Sequence, residues 1–489
     1  MAVQRSMQRV RIWSWPVMLC GLLLTLSSVR AQTAITLPDI GDSTEVFLSS
    51  EDEQRLGESF MRNLRANLTI INDPQLHDYI NDLGKRLASA SDAGSRSFDF
   101  FIVDAPDINA FAGPGGHIGL HSALLLTAED EDELAGVLAH EIAHVTQRHL
   151  ARAYQEASRM NLPLTAAVIA AIILGKDNIQ IAEAALAASA AGSAQHEINF
   201  TRSNEQEADR VGIQILLQSG YNPRGMPSFF ERLQRASLMY NEQPNAFLRT
   251  HPVTHERIAD TLNRASQAPA TSHSDNFTFS LMQTRLRVLI SHDLSSERNN
   301  LRSQLEKHAG NETAQRYGLA LCELLLGNLE QAEQQTRALP ARIRNNIHLQ
   351  LLVAEIDRQR GNSERALALD NRLADQYPHY TSLAMHQAQL LVNLRQYNAA
   401  EQLLKRHLDR DDSQPLLYKT LAEAQNGLGA IAESHLSLAE YYYREGGTEI
   451  ALQHLQIALK ESRDNAVSAR IKARIKVIRS ETEPNKPAE

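Results

Sequence analysis

The chain has 489 residues, and its 49 Lys and Arg stand against 58 Asp and Glu for a formal net charge of −9. No basic excess is available to neutralise a phosphate backbone, which argues against a nucleic-acid binder. The length allows roughly two to four domains and a sizeable core.

The N-terminus reads as a secretory signal over residues 1–31. Arg5, Arg9 and Arg11 form its positive region, and an apolar stretch runs from Trp15 to Leu26. Val29-Arg30-Ala31 supplies small residues for cleavage, which leaves Gln32 first in the mature chain. The stretch is short of the ~20 apolar residues of a membrane span. Cleavage removes Cys20 and leaves Cys322, so no intramolecular disulfide is expected, and Cys322 reads as a buried core thiol.

Residues 32–265 mix strand and helix signals. "FDFFIVD" (98–104) predicts a strand, "GPGG" (113–116) a turn and "HIGLH" (117–121) a returning strand. If that second strand is an exposed edge, Gly116, His117, Ile118 and Gly119 can pair with an extended substrate. His117 and His121 read as strand histidines.

"LTAEDEDELAGVLAHEIAHVTQRHLARA" predicts a helix, with a cap at Thr127 and Asp130 and acidic residues in the first turn. It carries His-Glu-x-x-His. His140 and His144 lie one turn apart on one face and can grip one ion together. Glu141, rotated by about 100° from His140, can reach a water held by that ion and act as general base. His149, five residues past His144, falls off the ligand face.

The apolar run "LPLTAAVIAAIILG" (162–175) and the small residues after it, to 194, predict a buried helix, or a mobile hairpin touching membrane or substrate. A second helix follows in "SNEQEADRVGIQILLQSGYNP", with Ser203 and Gln206 as capping box and Gly220 as its end. Glu205 and Asp209 share a face. Glu205 can be the third zinc ligand, and Asp209 can hold a ligand histidine by its free ring N–H. Glu207 points elsewhere.

"ASQAPATSHSD" (265–275) is turn-prone, and 266–300 reads as a linker with a connecting helix. From 301 to 480 the pattern repeats. Starts at Gly327, Gly361, Arg395 and Gly429 are 34 residues apart, with Ala332, Ala366, Ala400 and Ser434 five residues on. Gly446 begins a further unit half a period out of step. The period, the turn glycine and the small crossing residue resemble tetratricopeptide repeats, which present a concave face to protein partners. Residues 481–489 form a tail.

His-Glu-x-x-His followed by "EQEAD", together with the strand-turn-strand of "NAFAGPGGHIGLHSALL" (109–125), resembles the M48 family of zinc metallopeptidases. The order of signal, catalytic domain and repeats is similar to that of a periplasmic branch of the family. The resemblance implies a mostly α fold, with an α+β zincin-like domain ahead of an α-solenoid. It implies one Zn2+ per chain and a periplasmic endopeptidase with chaperone-like activity. Its clients would be misfolded or stalled outer-membrane proteins, its partner the barrel-assembly machinery, with peripheral membrane contact through 162–194. The alternative is a repeat scaffold whose protease is mostly latent. "LRTHPVTHER" (248–257) matches a His-Pro that recurs in the family. Pro252 suits the first turn of a helix, which places His251 at that helix's start. His251 can stabilise an oxyanion, or it can close the site as a fourth ligand, the role we favour. His255 would face solvent.

Overall fold

The computed structural model describes residues 48–94, 96–159, 194–240, 246–267 and 276–482. The expected signal peptide, the apolar run of 162–193, linker residues 268–275 and the tail from 483 lie outside them. Among the described residues no helix is long and apolar enough to cross a membrane.

Capping chemistry sets the first helix starts. Helix α1 (Ser50–Asn67) opens at Ser49, whose hydroxyl accepts the Asp52 N–H, and three acidic residues sit at the positive end of its dipole. Helix α2 (Pro74–Ser89) opens at Asp73, which accepts the Leu76 N–H. α1 buries one stripe, whereas α2 is buried all round over Gln75–Asn81 and exposes one stripe beyond it.

Strands β1 (Asp99–Val103), β2 (Ala110–Ala112) and β3 (His117–His121) form one sheet in the order β1-β3-β2. β3 runs parallel to β1, with Asp99 opposite His117, and antiparallel to β2, with Ala112 opposite Ile118. Both expected strands are present, but they do not form a hairpin with each other. The hairpin is β2–β3, turned through the 3-10 segment Pro114–Gly116. This corrects the placement of Gly116, His117, Ile118 and Gly119 at a substrate edge. β3 is the central strand, and both of its sides are hydrogen-bonded. The parallel pairing is non-local, and no turn signal in the sequence reports it. Gly119 is required by this burial: a Cβ there would lie 2.3 Å from the Phe111 ring. The outer side of β2 has no strand partner among the described residues.

Helix α3 (Ser122–Thr127) leads to α4 (Glu131–Thr146), which carries the His-Glu-x-x-His motif. Asp130 accepts the Glu133 N–H while the Glu133 carboxylate accepts the Glu129 N–H, a reciprocal cap. α4 is buried all round from Glu131 to Ala143. After Thr146 the helix stops: Arg148 takes φ 55° and α5 (His149–Arg159) begins. Helix α6 (Ala194–Ser219) starts well before Ser203, so Ser203 and Gln206 are interior and not a capping box. Residues 194–202 contain no Pro or Gly to stop a helix. Gly220, φ 82°, ends α6 as expected. Gly212 lets α6 approach the motif helix: a Cβ there would lie 3.3 Å from the His140 backbone nitrogen. Helices α7 (Gly225–Tyr240), α8 (Ala246–Thr250) and α9 (His255–Ser266) follow.

The rest is helical: α10 (Asn276–Leu289), α11 (Leu294–Glu306), α12 (Glu312–Leu325), α13 (Leu329–Arg337), α14 (Ile347–Gln359), α15 (Ser363–Ala374), α16 (Thr381–Asn393), α17 (Tyr397–Leu408), α18 (Pro415–Gly427), α19 (Ile431–Arg444), α20 (Thr448–Glu461) and α21 (Asn465–Thr482). The 34-residue period is physical. Gly327, Gly361 and Gly429 turn at φ 79°, 84° and 74°, and Arg395 takes the same left-handed position at 58°. Ala332, Ala366 and Ala400 are 0% exposed where the paired helices cross, and Ser434 instead donates to the Ala422 carbonyl. Gly446 turns between α19 and α20, which accounts for its half-period offset. Cys322 is fully buried, as expected, and burial pushes its thiol up to about 12.

One hydrophobic core runs from Leu76 of α2 through the sheet, α4 and α6 to Ile356 of α14. Polar ties reinforce it. Asp78 of α2 accepts the N–H groups of Thr381 and Ser382 at 2.9 and 2.8 Å, capping α16, whose own cap residue supplies no side chain for this. Arg285 of α10 forks onto Asp73 at 2.7 and 2.6 Å, and Arg65 of α1 meets Glu445 at 2.8 Å. α2 is polar where it meets the repeats, which lets its first two turns, Gln75–Asn81, be buried all round, while Asp82, Lys85, Arg86 and Ser89 form an exposed stripe.

Candidate metal centre

His140 and His144 of α4, Glu205 of α6 and His251 each bring one ligand atom within 4.8 Å of the others. His140 Nε2 lies 3.1 Å from His144 Nε2, 3.4 Å from His251 Nδ1 and 3.4 Å from Glu205 Oε2. Glu205 Oε1 lies 3.4 Å from His144 Nε2 and 3.0 Å from His251 Nδ1. Four ligand atoms about 2.0–2.1 Å from a tetrahedral zinc ion stand about 3.3 Å apart, so these residues fit the ion. A nitrogen-rich donor set also disfavours calcium and magnesium, which take oxygen.

Glu141 is fully buried beside the cluster. No side chain hydrogen-bonds its carboxylate, whose nearest donor is the Ala112 backbone N–H of β2, and Oε1 lies 3.6 Å from His251 Nε2. Burial pushes its carboxyl up, against the pull of His251 and His140. A buried carboxyl with so few donors is costly, and such groups mark sites where a proton or a partner arrives during function.

Each motif histidine is held from behind. His140 Nδ1 lies 3.1 Å from Asp209 Oδ1, which leaves Nε2 to face the cluster. Burial works against a charge on His140, but the Asp209 and Glu205 carboxylates outweigh it and hold the ring at about 9. A cation entering the site must displace that proton. His144 behaves oppositely: burial pushes it well below the ordinary range. Its Nδ1 lies 2.8 Å from His149 Nδ1, and His149 Nε2 lies 3.1 Å from Glu207, itself bonded to Arg152 at 2.8 Å. The proton arrangement that satisfies this chain has His149 donating to Glu207 and His144 Nδ1–H donating to His149. Nε2 of His144 is then free for a metal.

Two partners escape sequence reasoning. His149 is off the ligand face only if α4 continues, and the break at Arg148 brings it back against His144. Arg257 is the second. Its side chain is 2% exposed, its Nε and Nη2 donate to Asp209 at 2.7 and 2.8 Å, and its Nη1 reaches Glu205 Oε2 at 2.8 Å. Burial opposes its charge, but the carboxylates of Asp209 and Glu205 outweigh that and raise its pKa. Against their own burial, the fork from Arg257 helps hold the Asp209 carboxyl low, and His251, His140 and His144 hold Glu205 well below the ordinary range. A buried Arg two residues after an exposed His255 carries no signature in sequence.

His251 does sit at the cluster, but not at a helix start. It follows α8, donates its N–H to Phe247 at 2.7 Å and stacks on the Phe247 ring at 4.9 Å. Pro252 therefore precedes α9 without belonging to it, and Thr254 is the cap. The residue before a proline is biased away from helix, which is why α8 ends there. His255 is exposed, as expected. His117 and His121 stay out of the cluster; they meet Asp99 at 3.2 Å and the Asp107 carbonyl at 3.0 Å.

Comparison with known proteins agrees with this geometry. Residues 74–265 match Peptidase family M48. Over 468 residues the chain is 36% identical to the beta-barrel assembly-enhancing protease of Escherichia coli (strain K12), covering 94% of each chain. This chain belongs to the M48 peptidases. It is 33% identical over 462 residues to a putative beta-barrel assembly-enhancing protease of Vibrio cholerae, covering 94% of this chain and 95% of that one. Its similarity to the mitochondrial metalloendopeptidase OMA1 of Schizosaccharomyces pombe is narrower, 26% over 221 residues, covering 43% of this chain and 60% of the other. As an M48 peptidase it is a metalloendopeptidase, and its cofactor is zinc.

Proposed function

We propose that this chain is a periplasmic zinc endopeptidase with chaperone-like activity. It would degrade misfolded or stalled outer-membrane proteins and assist their assembly. The catalytic region (32–265) does the chemistry, and the repeats (301–480) engage clients and the barrel-assembly machinery. The observation that carries the reading is the cluster of His140, His144 and Glu205 at ligand spacing, with the buried carboxyl of Glu141, which no side chain hydrogen-bonds, beside it. The near full-length similarity to proteases named for enhancing β-barrel assembly supports the client class and the compartment.

His140, His144 and Glu205 would hold the zinc, which when bound supplies Lewis acidity toward a water and the scissile carbonyl. Glu141, its carboxyl raised by burial, takes a proton from the attacking water and returns it to the leaving amine. Asp209, clamped by Arg257, fixes the ring of His140, and His149 with Glu207 fixes that of His144. An extended substrate would pair with the outer side of β2, the sheet edge that packs on α4.

A second reading, a repeat scaffold with a mostly latent protease, is favoured by one observation. His251 Nδ1 stands at the same spacing as the three ligands. Four protein ligands mark a closed zinc site, whereas three and water mark a catalytic one. We assign His251 as a fourth ligand that holds the enzyme off until its segment moves.

Two variants test these assignments. Glu141→Gln should retain zinc and lose cleavage of an unfolded protein substrate such as casein by about 10²-fold or more. Undiminished cleavage refutes the base. His251→Ala should cleave faster with zinc retained. Lost activity with zinc retained would instead make His251 the oxyanion group.

A further inference from the structure

Helices α13, α14 and α15 border a groove of about 620 Å³. Its apolar lining is Leu349 and Val353 of α14 and Leu369 and Leu373 of α15, with Thr336, Asn345, Gln350 and Gln376 as neutral polar neighbours. Its rim carries four arginines: Arg337 from α13, Arg344 from the connector after Pro340, and Arg365 and Arg372 from α15. One carboxylate, Glu333, lines it, and Glu333 is shared by Arg337 and Arg360. Arg365 is paired with Asp357 at 3.2 Å. Arg344 and Arg372 are exposed, and neither makes an ion pair or side-chain hydrogen bond among the described residues.

The chemistry of the groove selects its occupant. Guanidinium forks match carboxylates in plane and can bind them with paired N–H donors. The leucine and valine lining takes apolar side chains. No aromatic residue lines the groove, so bases have nothing to stack on, which argues against a single-stranded nucleic acid. We propose that this groove is a docking site for a short protein segment in which Asp or Glu residues are interspersed with aliphatic ones. The carboxylates would meet Arg344 and Arg372, and the aliphatic side chains would pack on the apolar lining. The proposal deepens the reading of the repeats as a client or partner surface and does not depend on the metal centre.

The test is fluorescence polarisation of the full chain with a fluorescein-labelled peptide of Asp, Glu and Leu. Two counterparts serve as controls, one with Lys at the acidic positions and one with Ser at the leucines. Peptide integrity is followed by mass spectrometry, so that cleavage at the metal centre and failure to dock are told apart. The acidic, leucine-bearing peptide should bind, and the two counterparts should bind at least tenfold more weakly. The double charge reversal Arg344→Glu with Arg372→Glu should weaken binding at least tenfold and leave the circular-dichroism spectrum and melting temperature unchanged. Should that variant misfold, the neutral pair Arg344→Gln with Arg372→Gln takes its place, with a several-fold loss expected. Absence of binding, equal affinity for the lysine peptide, or insensitivity to these substitutions overturns the proposal. Displacement by heparin as effective as by the unlabelled peptide also overturns it, because the groove is then a general anion patch.

Discussion

Replacing Arg257 with methionine keeps most of its volume and deletes its charge. Three of its contacts then vanish: the fork onto Asp209 at 2.7 and 2.8 Å and the reach to Glu205 at 2.8 Å. Two carboxylates that are 1% and 4% exposed lose their compensating cation. Breaking a buried pair by removing one member costs about 3–5 kcal/mol. At about 2.1 cal/mol/K of unfolding entropy per residue, a chain of this size loses roughly 1 °C of melting temperature per kcal/mol. Without metal the variant should therefore melt about 3–5 °C lower. With zinc bound the ion's charge stands in for the missing guanidinium at Glu205, so the deficit should shrink. Zinc affinity should fall about 10–100-fold, because Glu205 and, through Asp209, His140 are no longer held in place. Arg257→Lys restores the charge without the fork and should fall between. The assay is calorimetry in EDTA and in zinc, with affinity from competition against a chromophoric chelator. Equal melting of wild type and Arg257→Met in EDTA, with zinc affinity unchanged, would refute the clamp.

Purified protein should carry about one zinc per chain, and His140→Ala, His144→Ala and Glu205→Ala should each lose it when assayed by mass spectrometry of the metal. Both ring nitrogens of His386 face carboxylates, Nδ1 to Asp370 at 2.5 Å and Nε2 to Glu355 at 3.2 Å. Burial opposes its charge, but those carboxylates hold it at about 9. A folded pKa raised above the unfolded 6.5 gives stability that is complete below pH 6.5 and lost as pH rises through 9. That loss amounts to about 3 kcal/mol. Thermal melts of His386→Gln should show a flatter pH dependence across that window than wild type. Arg395 occupies, at φ 58°, the turn position that glycine fills in the neighbouring repeats, and its side chain is exposed. Arg395→Gly should stabilise the chain by about 0.5–1 kcal/mol, the left-handed cost less glycine's extra chain entropy, read as a rise in melting temperature.

The sequence by itself determined whatever depends on spacing along the chain. His140 and His144 share a face because four residues are one helical turn. Glu205 and Asp209 do so for the same reason. The solenoid was legible because a left-handed turn and a small crossing residue must recur every 34 residues. Only the tertiary structure decided what depends on chain breaks and on pairing between distant segments. The left-handed Arg148 turned His149 from an off-face residue into the partner of His144. A parallel pairing with β1 made the expected edge strand the centre of the sheet. Arg257 reached Asp209 because α9 packs on α6, a contact spanning 48 residues that no local pattern encodes. The core shared between sheet, ligand helices and repeats has the same origin. Burial of the first two turns of α2 needs helices more than 200 residues away, and a local hydrophobic period cannot show which partner will cover each face.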